Sequence, residues 1–135
     1  MAISVAKLRA EGKIATAAIL DIDLHFGDGT ANTFDGVPEV EYFHPEGTDR
    51  QQFLEDISDF LSKARTDIVA VSAGFDRHER DWGGLLRTED YKTIGNLVRE
   101  FSIKTCQGRR YGVLEGGYNH DVLGINVKAF LQGMG

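Results

Sequence analysis

Hydrophobic and polar positions alternate along this chain between two spacings, one typical of buried strands and one typical of amphipathic helices. Nearly continuous apolar runs at 15–22 and 67–74 predict two strands that are covered on both faces. A weaker strand is predicted at 39–44, where polar residues alternate with apolar ones, and a fourth at 110–117, which ends in two glycines. Strands of this kind predict a sheet with a central buried part.

Four helices are predicted around these strands. The first covers residues 2–12 and stops at a glycine. The second covers 49–64 behind the capping residue Asp49, and the third starts at the capping residue Thr88. The fourth runs from residue 121 to about residue 132. The order of helices and strands therefore predicts an α/β fold.

The predicted architecture is one domain over residues 1–135, with an open, mostly parallel sheet of about four strands and helices on both faces. Loops are predicted at 23–36, 75–87 and 118–120, each after a strand. Ligands bind beyond the carboxyl ends of parallel strands, where such loops meet. The chemistry of the protein is therefore expected in these three loops.

Composition excludes several classes of function. The formal charge of −6 predicts no direct binding to nucleic acid, and the basic residues do not cluster. Arg77 and Arg80 alternate with acidic residues and are expected in a solvated loop of mixed charge. No apolar run is long enough for a membrane span, and the N-terminus lacks the apolar stretch of a signal peptide. The single cysteine, Cys106, is expected as a packed thiol, so a cytoplasmic location is predicted.

The first loop opens with metal-capable side chains at alternate positions. Asp21, Asp23 and His25 would project to one side of an extended backbone. Carboxylate and imidazole groups at this spacing suit zinc or a similar divalent ion. The alternative is an Asx-type turn with a buried histidine, and this spacing alone does not separate the two interpretations.

The third and fourth predicted strands, which end in glycine, deliver two more polar groups to the same edge. Asp76 follows the small residues 72–74, which let the backbone pass close to a ligand. Tyr118 follows Gly116 and Gly117, and its phenol can donate a hydrogen bond to charge that develops on a reacting oxygen. Together with Asp23 and His25, these side chains predict a functional site at this edge.

Three segments resemble motifs of the histone deacetylase superfamily, which includes acetylpolyamine amidohydrolases and acetoin-utilisation proteins. They are ILDIDLHFGDGT, VSAGFDRHERDWGGLLRTEDY and VLEGGYN, and they stand in the order and at the spacing that the superfamily shows, from about residue 15 to residue 119. The resemblance is strongest to the prokaryotic class II-like branch. It implies part of an arginase/deacetylase-like fold.

The resemblance also implies roles for individual residues in the zinc-dependent hydrolysis of N-acetyl amides such as acetyl-lysine or acetylpolyamine. Another divalent ion could replace zinc on the same ligands. The implied roles are metal ligation by Asp23, His25 and Asp76, and stabilisation of the oxyanion by Tyr118. A structural monovalent cation, usually potassium, is implied at Asp21 together with backbone carbonyls of the same loop, and a pocket wall is implied at Phe26, Gly116 and Gly117.

One part of the superfamily pattern is missing from this chain. The pair of adjacent histidines that acts as general base lies before the first metal motif in the superfamily, so the chain is expected to be the carboxyl-terminal part of a deacetylase. Three further histidines are expected in plain roles: His44 in a turn, His78 in a solvated loop and His120 in a helix cap. Phe26 is expected mainly to fill core, and Trp82 either forms a rim or covers a surface.

Three hypotheses for function follow. The first is a deacetylase module that binds zinc and acts on an acetylated amine, with doubtful activity of its own because the base is missing. The second is a non-catalytic metal-binding or oligomerising fragment that pairs with itself or with an N-terminal partner. The third is an α/β domain that keeps the motifs without metal or chemistry.

Overall fold

The computed structural model of the protein describes all residues from 1 to 135. It contains four strands and five helices. In chain order they are α1 (Ala2–Ala10), β1 (Ala17–Asp21), α2 (Asp28–Thr33), β2 (Val40–Phe43), α3 (Arg50–Lys63), β3 (Val69–Ala73), α4 (Thr88–Thr105), β4 (Arg110–Leu114) and α5 (His120–Met134).

The four strands form one parallel sheet in the order β2-β1-β3-β4. Every residue of β1 and β3 is buried, as their apolar runs predict, whereas every residue of β4 keeps some exposure at the edge of the sheet. Asp21 at the end of β1 pairs with Ser72 in β3. The register therefore brings the carboxyl ends of these two central strands, and the loops that follow them, to the same edge.

Helices cover both faces of the sheet, which confirms the predicted fold class. One face packs against α1 and the region of α2 through a smaller apolar cluster that includes Val5 and Phe34. The other face packs against α3, α4 and α5 through a larger cluster that includes Phe53, Tyr91 and Phe130. None of the five helices combines the length and the hydropathy that crossing a membrane requires.

Two predictions of secondary structure need correction. The segment 23–36 is not loop throughout, because it contains the short helix α2, which has no buried residue and hence no apolar stripe to reveal it. Thr88 is the first residue of α4 rather than its cap. The cap position is Arg87, whose backbone N–H donates to the Asp90 carboxylate at 2.8 Å.

The segment 75–87 is also more buried than its charge pattern predicts. Arg77 is 6% exposed and His78 is 3% exposed, so neither lies in a solvated loop. The segment folds back on itself, since the backbone N–H groups of Leu85 and Leu86 both donate to the Arg77 carbonyl. The His78 ring stacks on Tyr91. Cys106, in contrast, is fully buried as expected.

Candidate metal centre

The loop after β1 is shaped by two successive Asx turns. The Asp23 N–H donates to Asp21 Oδ1 at 3.1 Å, and the His25 N–H donates to Asp23 Oδ1 at 2.9 Å. The strand ends at Asp21, so the side chains do not line up along an extended backbone as predicted. The Asx turns of the alternative interpretation are present, but its buried histidine is not, because the His25 side chain is exposed.

Asp23, His25 and Asp76 converge at the carboxyl edge of the sheet. Each offers one ligand atom, and these atoms all lie within 4.8 Å of one another. His25 Nδ1 lies 3.3 Å from Asp76 Oδ2 and 3.4 Å from Asp23 Oδ1. Residues that are more than fifty positions apart in the chain therefore present two oxygens and one nitrogen to a common point.

The hydrogen bonding of Asp76 indicates that this point suits a cation. Asp76 is completely buried, and its Oδ1 accepts a hydrogen bond from the Leu24 N–H at 2.9 Å. Its Oδ2 has no hydrogen-bond partner. Burial raises the pKa of Asp76, and the negative charge of Asp23 raises it further. A buried carboxylate oxygen without a partner is unfavourable, and a divalent ion held by oxygen and nitrogen ligands would satisfy it.

Gly116 leaves the space that the two carboxylates need. A Cβ atom at this position would lie 2.6 Å from both Asp23 Oδ2 and Asp76 Oδ2. The Gly116 N–H also donates to Asp23 Oδ2 at 2.8 Å, which fixes that carboxylate from the side of β4. The next residue, Gly117, has a φ of 141°, a conformation that residues with a Cβ atom rarely adopt.

Tyr118 lies at the rim of the site and is held by a residue that the sequence did not single out. Asp81 Oδ2 accepts hydrogen bonds from the backbone N–H groups of Tyr118 at 2.8 Å and Asn119 at 2.7 Å. The Trp82 ring stacks on the Tyr118 ring at 4.2 Å and meets the His25 ring edge-on at 5.9 Å. Of the two roles considered for Trp82, the structure shows the rim.

The converging groups open into a polar cleft of about 610 Å³. Ser72, Thr30 and Glu115 line it, together with five of the residues that the sequence predicts for the site. These five residues are Asp21, Asp23, His25, Gly116 and Tyr118. Phe26 does not line the cleft. The Phe26 ring is 52% exposed and meets the Tyr42 and His44 rings edge-on, so it does not fill core either.

Three of the oxygens predicted to hold a monovalent cation, two on the Asp21 carboxylate and one on the Asp23 carbonyl, are already bonded to protein donors. Asp21 Oδ1 accepts from the Asp23 N–H, and Asp21 Oδ2 accepts from the Tyr42 hydroxyl at 2.7 Å. The Asp23 carbonyl accepts from Arg77 Nε at 3.1 Å, and His44 Nε2 lies 2.9 Å from it. Burial raises the pKa of Asp21, so its charge needs these partners. The arrangement does not fit an additional cation.

A family model described as "Histone deacetylase domain" matches residues 44–134, which include Asp76 and Tyr118. The chain belongs to the histone deacetylase family. The match starts after Asp23 and His25, so their assignment depends on the geometry of the loop and on the resemblance of the first motif.

Individual proteins match more of the chain than this family model does. Type-2 histone deacetylase 2 of Dictyostelium discoideum is 29% identical over an alignment of 145 residues. The alignment covers 75% of this chain and 8% of that protein. Acetylpolyamine amidohydrolase 1 of Pseudomonas aeruginosa is 26% identical over an alignment of 154 residues, which covers 86% of this chain and 43% of that protein.

A solved structure has the same fold as this chain. The crystal structure of an acetylpolyamine aminohydrolase from Burkholderia pseudomallei matches with a TM-score of 0.84 and 24% identity, over 99% of this chain and 48% of that one. The chain thus spans less than half the length of each of these three proteins.

Proposed function

We propose that this chain carries the metal-binding part of a zinc-dependent amidohydrolase that removes acetyl groups from acetylated amines, such as acetyl-lysine or an acetylpolyamine. The observation that carries the proposal is the convergence of Asp23, His25 and Asp76 around the unpartnered Asp76 oxygen. Two carboxylates and one imidazole form a zinc ligand set that leaves a position open for a reacting group. The names of the matched relatives support acetylated amines as the substrate class.

The residues around the proposed metal position have different roles. A bound zinc ion supplies Lewis-acid polarisation of an amide carbonyl. Asp23 and Asp76 are held by backbone N–H groups of Gly116 and Leu24, so their ligand oxygens are oriented before metal binds. His25 keeps an exposed ring at the mouth of the cleft, where a substrate can enter. A potassium ion at Asp21 is left out of this proposal, because the Asp21 oxygens already have partners.

Tyr118 is proposed to stabilise negative charge on the reacting carbonyl oxygen. Desolvation, followed by the negative charges of Asp76, Asp23 and Asp81, raises the pKa of Tyr118. Its phenol therefore stays protonated at neutral pH and keeps a hydrogen to donate. Asp81 holds the backbone of this residue, and Trp82 supports one face of its ring.

The cleft contains no second histidine that could act as a general base. His25 is the only histidine among the lining residues, and it belongs to the proposed ligand set. General acid–base catalysis contributes roughly 10²- to 10⁴-fold to a reaction rate. We therefore expect slow release of acetate from the chain on its own, with metal binding as the clearer readout.

Metal analysis tests the proposal directly. The protein, purified without chelator, should contain one zinc ion per chain, and Asp76→Ala should contain almost none. Asp59→Ala is the matched control, because Asp59 is exposed on α3 and does not line the cleft. Native protein without stoichiometric zinc, even after zinc is added, would contradict the proposal.

Acetate release then tests the substrate class. An acetyl-lysine peptide and N-acetylputrescine should each be compared between the native protein and Tyr118→Phe. The variant should keep its zinc and lose most of any release that the native protein shows, because only the donor of the hydrogen bond is removed. Equal release by both proteins would exclude Tyr118 from the reaction.

A second role, association with another polypeptide, is favoured by the exposure of β4. All five residues of this edge strand are partly or fully exposed, and Leu114 is 61% exposed. An exposed parallel edge pairs readily with another strand. The partner could be a second copy of the chain or an N-terminal polypeptide. If it is a second copy, light scattering should show a mass above that of one chain.

A further inference from the structure

Arg77 is a buried cation that faces the acidic loops of the metal centre. The side chains of Asp21 and Asp76 are almost completely buried, and that of Asp23 is mostly buried. Arg77 is 6% exposed, although arginine is rarely buried without partners. A guanidinium keeps its positive charge at every pH at which the protein folds. The chain therefore places a permanent positive charge of its own near these carboxylates, whose negative charges favour the charged form of Arg77.

The guanidinium of Arg77 is held in one position from several sides. Its Nε donates to the Asp23 carbonyl at 3.1 Å, and its Nη2 donates to the Pro45 carbonyl at 3.1 Å. Nη2 also lies 3.1 Å from His44 Nε2, and Cζ lies 4.9 Å from the centre of the Phe53 ring. The loop after β1 is thus tied to the segment after β2 and to α3 through one cationic group.

Tyr42 closes the other side of the same loop. Its hydroxyl donates to Asp21 Oδ2 at 2.7 Å and accepts from the Gly27 N–H at 3.0 Å. The packing here is tight, since a Cβ atom on Gly27 would lie 2.7 Å from Asp21 Oδ2 and 2.9 Å from the Tyr42 hydroxyl. Asp21 Oδ2 therefore has a hydrogen-bond donor of the protein itself and is satisfied without an ion.

We infer that Arg77 and Tyr42 take the place of the monovalent cation that the family resemblance implies at Asp21, so that this loop is ordered without potassium or sodium. Arg77 supplies the positive charge and bonds the Asp23 carbonyl, and Tyr42 bonds the Asp21 carboxylate. Arg77 is then a positioning residue, because it acts on the metal through the backbone of a ligand. The part of this inference that concerns zinc affinity rests on the proposed function, whereas the part that concerns folding does not.

Salt exchange on the native protein is the first test. The urea midpoint of unfolding should be the same in potassium chloride, sodium chloride and tetramethylammonium chloride at equal ionic strength, because no specific cation is bound. Zinc affinity, measured by competition with a chelator, should also agree within about twofold across the three salts. A higher midpoint or tighter zinc binding in potassium than in tetramethylammonium would overturn the inference, because a ligand that binds only the folded state stabilises it.

Substitution of Arg77 is the second test. Arg77→Ala should weaken zinc binding by about tenfold or more in tetramethylammonium chloride, as expected for loss of a group that orients a ligand. Potassium should restore part of this affinity by entering the vacated space, and Arg77→Lys should retain most of it. Arg80→Ala is the control, because Arg80 is an exposed arginine of the same segment. Equal loss in all three salts would reduce Arg77 to a packing role and overturn the inference.

Tyr42→Phe covers the case in which Arg77→Ala does not fold. This variant removes only the hydroxyl that bonds Asp21, so it should acquire a dependence of its unfolding midpoint on potassium. Indifference of Tyr42→Phe to potassium would count against the inference. If no variant and no native sample binds zinc, the proposed function fails, and the unfolding midpoints still decide whether the loop needs a cation.

Discussion

Asp67 and Asp76 lie at opposite ends of β3, and their surroundings differ sharply. Asp67, at the amino end, accepts hydrogen bonds at its Oδ2 from the backbone N–H groups of Ala15 at 2.7 Å and Thr16 at 3.0 Å. These bonds lower its pKa. Asp76, at the carboxyl end, is completely buried and has one oxygen without a partner, and burial raises its pKa.

The same residue type is therefore held by backbone hydrogen bonds at one edge of the sheet and buried with an unsatisfied oxygen at the other. The amino edge joins β1 to β3 with ordinary hydrogen bonds. The carboxyl edge keeps a buried charge that is compensated only in part, which is typical of a binding site. The difference indicates that the carboxyl edge is the part of the sheet where binding is expected.

Replacing Asp76 with asparagine should have the largest effect. Asp76→Asn keeps the side-chain shape and the acceptor for the Leu24 N–H, but it removes the charge that the proposed zinc site requires. We expect zinc affinity to fall by about 100-fold or more, measured by competition with a chelator. The metal-free variant should be more stable than the native protein by about 1 kcal/mol, because a buried charge has been removed.

A metal-free Asp76→Asn that unfolds more easily than the native protein would break the comparison. It would show that the Asp76 charge stabilises the fold, as the Asp67 charge does. Urea denaturation with chelator present makes this measurement.

Adding a methyl group at Gly116 should have the next largest effect. In Gly116→Ala, the new Cβ would collide with the carboxylates of Asp23 and Asp76. We expect a loss of about 1–3 kcal/mol in the free energy of unfolding, as is usual for overpacking, and about tenfold weaker zinc binding. Thermal unfolding and zinc titration measure the two effects.

Gly124→Ala is the matched control for this variant. Gly124 lies in α5, and a Cβ atom there would meet no atom within 4 Å. The same substitution should therefore raise stability by about 0.5–1 kcal/mol through helix propensity. Similar destabilisation by both alanines would mean that the space beside Gly116 is not what limits the site.

The smallest effect is expected at the amino edge. Asp67→Asn should lower the free energy of unfolding by about 0.5–1 kcal/mol at neutral pH, since the partly exposed carboxylate loses charge-assisted hydrogen bonds. The folded-state pKa of Asp67 lies below its ordinary value of 3.8. The carboxylate's contribution is therefore complete above that ordinary value and is lost as the pH falls through the folded-state pKa.

Urea unfolding at neutral pH and below about pH 4 checks the Asp67 prediction. The difference between Asp67→Asn and the native protein should shrink in acid, and zinc affinity should not change. A difference that is constant over this range would show that the charge of Asp67 contributes nothing.

The fold follows from the sequence where long-range packing agrees with local pattern. The apolar runs before Asp21 and before Gly74 are buried strands because both faces are covered. The helix α2 was missed because its six residues carry no apolar stripe. The burial of Arg77 was missed because its neighbours in the sequence are charged, whereas its neighbours in space are carbonyl groups, a histidine and the Phe53 ring.

The candidate site shows a similar division. Motif resemblance named the groups that converge, but it did not show how they are held. The Asp81 carboxylate that fixes the Tyr118 backbone lies 37 positions away, and the Tyr42 hydroxyl lies 21 positions from Asp21. Contacts of this kind depend on the register of the sheet and the path of the loops, which residue spacing does not specify.

Trp82 is the only tryptophan of the protein, and it stacks on Tyr118 and touches His25. Light absorbed at the red edge of the aromatic band therefore excites a single fluorophore at the mouth of the cleft. Its emission reports on this one location and needs no label, so events at the two neighbouring rings can be followed optically and in real time.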